Sequence, residues 1–100
     1  MFVHVVNFWL NKNLSDAERQ QFVEGVKTLG TIDTCTTFNV GTPAKTDRPV
    51  IDNSYDYCLL TIFNDIEGHD VYQVHPTHLK FIDECKHLWE KVLIYDSETI

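Results

Sequence analysis

The first ten residues alternate in the way that is typical of a strand covered on both sides. His4, Val6 and Phe8 share one face of an extended chain, and Val5 and Trp9 lie on the other. Both faces are largely apolar, whereas a strand with one solvated face would alternate apolar and polar residues. Residues 2–10 are therefore predicted to form a strand that is buried on each side.

A helix is predicted between Ser15 and Gly30. Ser15 and Glu18 match a capping box, in which each side chain satisfies a backbone N–H at the start of a helix. Phe22 and Val26 then recur at helical spacing and predict the buried face. Gly30 is expected to end the helix, because a left-handed cap costs glycine little.

The rest of the chain divides into five more elements and one long loop. In order these are a strand (34–40), an irregular segment with two prolines (41–54), a strand (55–63), a helix capped by Asn64 or Asp65 and running to about residue 75, a helix capped by Thr77 (78–86) and a strand (88–95). Pro76 separates the two helices, because proline lacks an N–H and disfavours helix before it. This order predicts one α+β domain over residues 1–100, with a ferredoxin-like antiparallel sheet and helices on one face.

The sheet face opposite the helices is also predicted to be apolar. Its candidate residues are Trp9, Leu60, Ile62, Val92 and Ile94. An uncovered apolar face is unfavourable in water, and a chain of 100 residues is only modestly stable alone. We therefore expect a homodimer in which a second copy covers this face, sheet against sheet.

Charge and cysteine content narrow the range of partners. The net charge of −7 argues against nucleic acid and against an anionic membrane surface. Cys35, Cys58 and Cys85 are too widely spaced for a zinc ligand pair, and we expect reduced thiols in a cytoplasmic protein. The apolar N-terminus has no basic region, so a strand is favoured over a signal peptide. No apolar run reaches the roughly 20 residues of a membrane helix.

The sequence His75-Pro76-Thr77-His78 is the most distinctive motif. Two histidines at i and i+3 resemble a metal-binding pair, but no third ligand is evident, and His69 and Asp70 are expected to be solvated. We therefore expect no metal. A glycine-rich phosphate loop, a nucleophile elbow and HExxH are all missing, and nothing requires a flavin, a haem or a nucleotide. No cofactor is expected.

This motif, an apolar helix after it and the segment LWEKVLIYD (88–96) together resemble the Dabb, or stress-responsive A/B barrel, family. The strand that carries His4, Gly41 after the second strand, and Tyr55-Asp56 before the third fit the same pattern. The resemblance covers essentially the whole chain. It implies a dimeric α+β barrel, in which two ferredoxin-like protomers join their sheets, and it implies little about activity.

One branch of that family, the plant polyketide cyclases, closes a linear chain by intramolecular aldol condensation. Similarity to this branch implies that His78 is the catalytic acid–base and that Tyr72 is the oxyanion donor. The chemistry suits both residue types, because neutral histidine accepts a proton and a tyrosine hydroxyl donates a hydrogen bond. Tyr57 stands where the cyclases have a pocket histidine. In the alternative interpretation, His78 packs over the sheet as an ordinary helix residue.

The resemblance also assigns the face of the first strand that carries His4 to a pocket below the helices. A lone histidine on an apolar strand is more often a core residue, and His75 is expected to bond a freed carbonyl at a helix end. The predicted ligand-binding residues are His4, Val6, Phe8, Phe22, Val26, Tyr57, Leu59, His75, Leu79 and Trp89. Three hypotheses follow: a homodimer holding a small apolar or carbonyl-bearing ligand, a cofactor-free cyclase or lyase, and a structural stress-related dimer with a filled pocket.

Overall fold

The computed structural model describes residues 1–100 and contains one four-stranded sheet and three α-helices. The elements are β1 (Phe2–Leu10), α1 (Asp16–Thr28), β2 (Cys35–Gly41), β3 (Tyr57–Phe63), α2 (Ile66–Val74), α3 (Pro76–Cys85) and β4 (Trp89–Glu98). Neighbouring strands are antiparallel, in the spatial order β2-β3-β1-β4. The predicted ferredoxin-like α+β class is confirmed. No helix is both long enough and apolar enough to cross a membrane.

Two strand boundaries differ from the prediction by more than one residue. β3 begins at Tyr57 rather than at residue 55, because Asp56 bonds the end of β1 instead of continuing the ladder. Its N–H donates to the carbonyl of Phe8 at 2.8 Å, and its carboxylate accepts from the N–H of Leu10 at 2.7 Å. β4 runs to Glu98, three residues beyond the prediction, because it stays paired with β1 along the whole of that strand.

α1 begins as predicted and ends differently. Ser15 and Glu18 form the reciprocal capping box. The helix ends at Thr28 and passes into a 3₁₀ turn, and Gly30 has no positive φ, so the predicted left-handed cap is wrong. Glycine is needed there for space instead, since a Cβ would lie 2.8 Å from the ring of Phe38.

His75 joins α2 to α3. Its N–H bonds the carbonyl of Tyr72 at 3.2 Å, which ends α2, and its ring accepts the N–H of Thr77 at 3.1 Å, which caps α3. Pro76 is the first residue of α3, where its missing N–H is not needed. The predictions that Thr77 caps the helix and that the His75 ring bonds a carbonyl are therefore wrong.

The core fills the layer between the helices and one face of the sheet. β1 buries alternate residues against the helices, among them Val6 and Phe8, and leaves the intervening residues half-buried. α1 and α3 pack closely because Gly25 has no side chain, and a Cβ there would lie 2.7 Å from the Sγ of Cys85. The helices thus cover one face of the sheet and leave the other without a second layer.

A bulge changes which residues of β4 lie on each face. Trp89 pairs with Leu10, but Val92 pairs with Phe8, so the alternation slips by one residue between them. Directly opposed residues of an antiparallel pair share a face, which places Val92 and Ile94 on the helix side. Their predicted position on the open face is therefore wrong. The open face carries Val5, Trp9, Leu60, Ile62, Leu93 and Tyr95.

Candidate functional site

A cavity of about 150 Å³ lies between α2, α3 and the helix side of the sheet. Of the thirteen residues that line it, ten are hydrophobic, and His4, Gln73 and His78 supply the remaining polar side chains. A larger groove between α1 and α3 is lined mainly by exposed polar residues. The smaller cavity is the better candidate site, because it combines apolar walls with a few buried polar groups.

Tyr72 of α2 and His78 of α3 meet across the junction of the two helices. Their ring centroids are 4.9 Å apart, and both residues line the cavity. The Tyr72 hydroxyl and the Nδ1 of His78 are buried and make no hydrogen bond of good geometry, although the side chain of Thr61 and the backbone of Gln73 lie close enough to affect the pKa values of Tyr72 and His78 respectively. A buried polar group without a partner costs about 1–3 kcal/mol, so two of them beside one cavity are unusual for a purely structural core.

Burial sets the protonation of this pair. It lowers the pKa of His78 below the ordinary value of 6.5, and a charge on His4 would lower that pKa further. It raises the pKa of Tyr72 well above its ordinary value. At neutral pH the site therefore presents a neutral imidazole beside a protonated hydroxyl, which is a proton acceptor beside a hydrogen-bond donor.

His4 lies at the same end of the cavity and pairs with a carboxylate. Its Nδ1 is 2.5 Å from the Oδ1 of Asp96, which stands directly opposite it on β4. Burial lowers the pKa of His4, and Asp96 opposes that shift. A neutral His4 that donates from Nδ1 to Asp96 keeps Nε2 as an acceptor.

His69 is not solvated as predicted. Its side chain is only 12% exposed, because α2 turns it onto the sheet, whereas the neighbouring Asp70 is exposed as expected. Its ring stacks on Phe2 at 4.4 Å and lies 4.8 Å from the ring of His4. The amide nitrogen of Gln73 is 2.9 Å from its Nε2. Sequence reasoning missed His69, since a single polar residue on a short helix carries no periodic signal.

The structure places some predicted residues at the cavity and others away from it. The predicted residues that line it are His4, Val6, Phe8, Leu59, Tyr72, His78 and Trp89. Phe22 and Val26 lie in the solid core, and Tyr57 packs on Phe22 at 5.2 Å. Leu79 is 54% exposed on the outer side of α3, and His75 is used as a cap. These five positions were predicted to contact a ligand and do not line the cavity.

Six lining residues were not predicted: Leu29, Gln73, Phe81, Ile82, Val92 and Ile94. Phe81 and Ile82 follow His78 by three and four residues, so helical spacing alone identifies them. Val92 and Ile94 depend on the bulge in β4, for which the sequence gives no clear signal. Both are partly exposed and form the side of the cavity away from the helices.

The class of protein is defined by its α+β fold, in which helices cover one face of the sheet and the other face has no second layer. The family model for the stress responsive A/B barrel domain, Dabb, matches residues 2–99, and the chain belongs to this family. No curated protein matches the chain.

Solved structures agree with this assignment. A Dabb family protein with a ferredoxin-like fold from Mesorhizobium loti is 28% identical, with a TM-score of 0.78 over 99% of this chain and 96% of that one. A dimeric ferredoxin-like protein of unknown function from Thermobifida fusca is 16% identical, with a TM-score of 0.79 over 98% and 90%. The hydroxynitrile lyase of Passiflora edulis is 19% identical, with a TM-score of 0.77 over 99% and 95%. The likeness to the last two concerns the fold alone.

Proposed function

We propose that the chain is a single-domain Dabb protein that works as a homodimer and binds a small, apolar, carbonyl-bearing molecule in the cavity of each protomer. One observation carries the proposal: the Tyr72 hydroxyl and the Nδ1 of His78 are buried beside the cavity without hydrogen-bond partners. A ligand carbonyl would accept from Tyr72, and a ligand hydroxyl or water would satisfy His78. Either contact would remove the cost of an unpartnered buried group.

The size and lining of the cavity support the chemical class. A dry apolar cavity of roughly 150 Å³ holds a benzene-sized molecule, and this one has about the same volume. Most of its lining is hydrophobic, which excludes a strongly charged ligand. An aromatic or alicyclic ring with one carbonyl group fits both the volume and the two polar atoms.

The ligand proposal is tested with benzaldehyde and with toluene, its carbonyl-free analogue. In an NMR titration we expect benzaldehyde to shift the imidazole signals of His4 and His78 and to bind about three- to tenfold more tightly than toluene, which is the effect of one hydrogen bond. The Tyr72→Phe variant should bind both compounds equally. Equal binding of both by the wild type would refute carbonyl recognition, and no saturable shift would favour a structural dimer without a ligand.

The proposed homodimer is supported by the apolar residues on the open face of the sheet and by dimeric relatives of the same fold. Val5 lies at the centre of that face, between Leu60 on β3 and Tyr95 on β4. A lysine there would place a charge in a desolvated interface.

The dimer test compares two lysine substitutions at valine. Val5→Lys should sediment as a monomer at micromolar concentration while the wild type sediments as a dimer. Val71→Lys, on the exposed side of α2, should remain dimeric. A monomeric wild type would refute the dimer, and a dimeric Val5→Lys would place the interface elsewhere.

A second candidate function is a cofactor-free cyclase or lyase. His78 would act as general acid–base and Tyr72 as oxyanion donor, for example in an aldol closure. The neutral His78 beside a protonated Tyr72 favours this chemistry, and one protein of the same fold is a hydroxynitrile lyase. Tyr57 occupies the position at which the cyclases have a pocket histidine, and its ring packs on Phe22 in the core.

The enzyme candidate is separated from simple binding by kinetics. A rate that depends on pH, and whose pH dependence disappears in His78→Ala, would establish it. Binding of carbonyl compounds without turnover of any of them would exclude the enzyme.

We further propose a cytoplasmic location, which the three free thiols support.

A further inference from the structure

Three potential metal ligands from three different elements converge beside the cavity. They are His4 of β1, His69 of α2 and Asp96 of β4, which we call the histidine–aspartate cluster. One ring nitrogen of each histidine and one carboxylate oxygen of Asp96 all lie within 4.8 Å of one another. The cluster is separate from the histidine pair of the HPxH motif, since His75 is used as a helix cap.

Protein contacts do not use the full bonding capacity of this cluster. Gln73 approaches the Nε2 of His69 at 2.9 Å, but the Nδ1 of His69 is buried without a hydrogen-bond partner, and the nearest Asp70 oxygen is 3.5 Å away. His4 is almost fully buried, with its ring 4.8 Å from that of His69. Two largely buried imidazoles therefore lie beside one partly exposed carboxylate, and one ring nitrogen of His69 still lacks a protein partner.

We propose that the histidine–aspartate cluster binds a divalent cation of the zinc class. Two imidazoles and one carboxylate are a donor set that zinc and similar first-row metals prefer, and three protein ligands leave a fourth position open. His4 lines the cavity, so the open position lies at its polar end. This proposal does not depend on the carbonyl ligand proposed above.

The three ligand atoms lie within 4.8 Å of one another, so they would have to rearrange slightly around a metal. Ligand atoms at about 2.0–2.2 Å from a tetrahedral zinc lie roughly 3.3–3.5 Å from one another. The pair formed by His4 and Asp96 is closer than that, at 2.5 Å, so coordination would replace its hydrogen bond. Asp96 can move, because its side chain is 41% exposed on the edge strand β4.

Zinc titration of the full chain, after removal of bound metal with a chelator, tests the proposal. We expect calorimetry to give one zinc ion per chain in the wild type. His69→Ala and Asp96→Asn should each weaken binding by at least about tenfold, since even the loss of an outer partner of a metal ligand has that effect. His87→Ala and Asp83→Asn are matched controls that remove an exposed histidine and an exposed carboxylate on α3, and both should bind zinc as the wild type does.

Cobalt gives a readout that depends on geometry. Bound Co²⁺ should show the strong visible absorption of a four-coordinate site in the wild type and in both controls, and lose it in Asp96→Asn. If His69→Ala does not fold, Asp96→Asn decides the test, because its side chain is partly exposed and isosteric with the original. The proposal is overturned if zinc does not bind, if His69→Ala folds and binds normally, if Asp96→Asn binds normally, or if either control loses the metal.

Discussion

The two ends of the layer between helices and sheet are built in opposite ways. At one end lie the rings of Phe8, Phe22, Phe81 and Trp89, which we call the aromatic end. Their centroids are 5.0 to 6.3 Å apart, and all six pairs are edge-to-face or tilted. Such packing combines a large buried apolar area with favourable ring geometry and, apart from the Trp89 N–H, contains no polar atom.

The other end, which we call the polar end, contains His4, His69, Tyr72 and His78. These rings also pack within 4.8 to 6.5 Å of one another. Three of their nitrogen and oxygen atoms are nevertheless buried without a partner. His4, Tyr72 and His78 line the cavity, which Phe8, Phe81 and Trp89 of the aromatic end also line. The comparison indicates that the aromatic end supplies stability, whereas the polar end keeps bonding capacity for a ligand at some cost in stability.

The largest expected effect is at the aromatic end. Phe22 is completely buried and packs against four other aromatic rings, so Phe22→Ala should lower the free energy of unfolding by about 3–5 kcal/mol. Urea denaturation measures this. Leu79→Ala, on the exposed side of α3, is the control and should change stability by less than about 1 kcal/mol. Similar losses in both variants would contradict the assignment of stability to this end.

At the polar end we expect a smaller change in the free energy of unfolding, and this change depends on pH. Because the pKa of folded His78 is lowered, the unfolded chain takes up a proton on this residue more readily than the folded one. Above about pH 6.5, the ordinary histidine pKa, neutral His78 makes its full contribution to the free energy of unfolding. This contribution is lost as the pH falls through the lowered pKa of His78 in the folded state. His78→Gln should therefore lose less stability than the wild type between about pH 7 and pH 5.

One other buried group limits that change. His4 also has a lowered pKa and remains in the variant, so the pH dependence should decrease and not vanish. His87→Gln, which removes an exposed histidine, should keep the slope of the wild type. Identical slopes for His78→Gln and the wild type would show that His78 does not titrate abnormally.

The smallest effect is expected for Tyr72→Phe. The substitution removes a buried hydroxyl that has no partner and keeps the ring that packs on Phe63 at 5.0 Å. The free energy of unfolding should stay within about 1 kcal/mol of the wild type or rise. Thermal unfolding checks this. A clear loss of stability would mean that the hydroxyl has a structural partner.

Regular patterns made most of the fold predictable. The alternation in β1, the capping box at Ser15 and Glu18 and the order of the elements give the sheet topology, because each depends on local chemistry that repeats along the chain. The bulge between Trp89 and Val92 was not predictable, since it depends on how β4 pairs with β1. It moves Val92 and Ile94 from the open face to the cavity.

The site was predictable only where a motif marks it. The HPxH resemblance led to Tyr72 and His78, which line the cavity. His69 belongs to no motif, and Asp96 ends the LWEKVLIYD segment without any role being assigned to it. The packing of α2 on the sheet and the pairing of β4 with β1 bring these two residues to His4. Leu79 was assigned to the pocket although helical spacing from Phe81 and Cys85 places it on the opposite side of α3. Spacing along the helix was a better guide there than position next to the motif.

The most direct test of the contrast between the two ends is thermal unfolding of the wild type and Tyr72→Phe, each with and without millimolar benzaldehyde. A ligand that binds only the folded state stabilises it by RT ln(1 + [L]/Kd), so at equal concentration the tighter ligand raises the unfolding temperature more. We predict that benzaldehyde raises the unfolding temperature of the wild type clearly more than that of Tyr72→Phe, while toluene raises both alike. Equal shifts with benzaldehyde, or none in the wild type, would contradict a polar end that is kept for a carbonyl ligand.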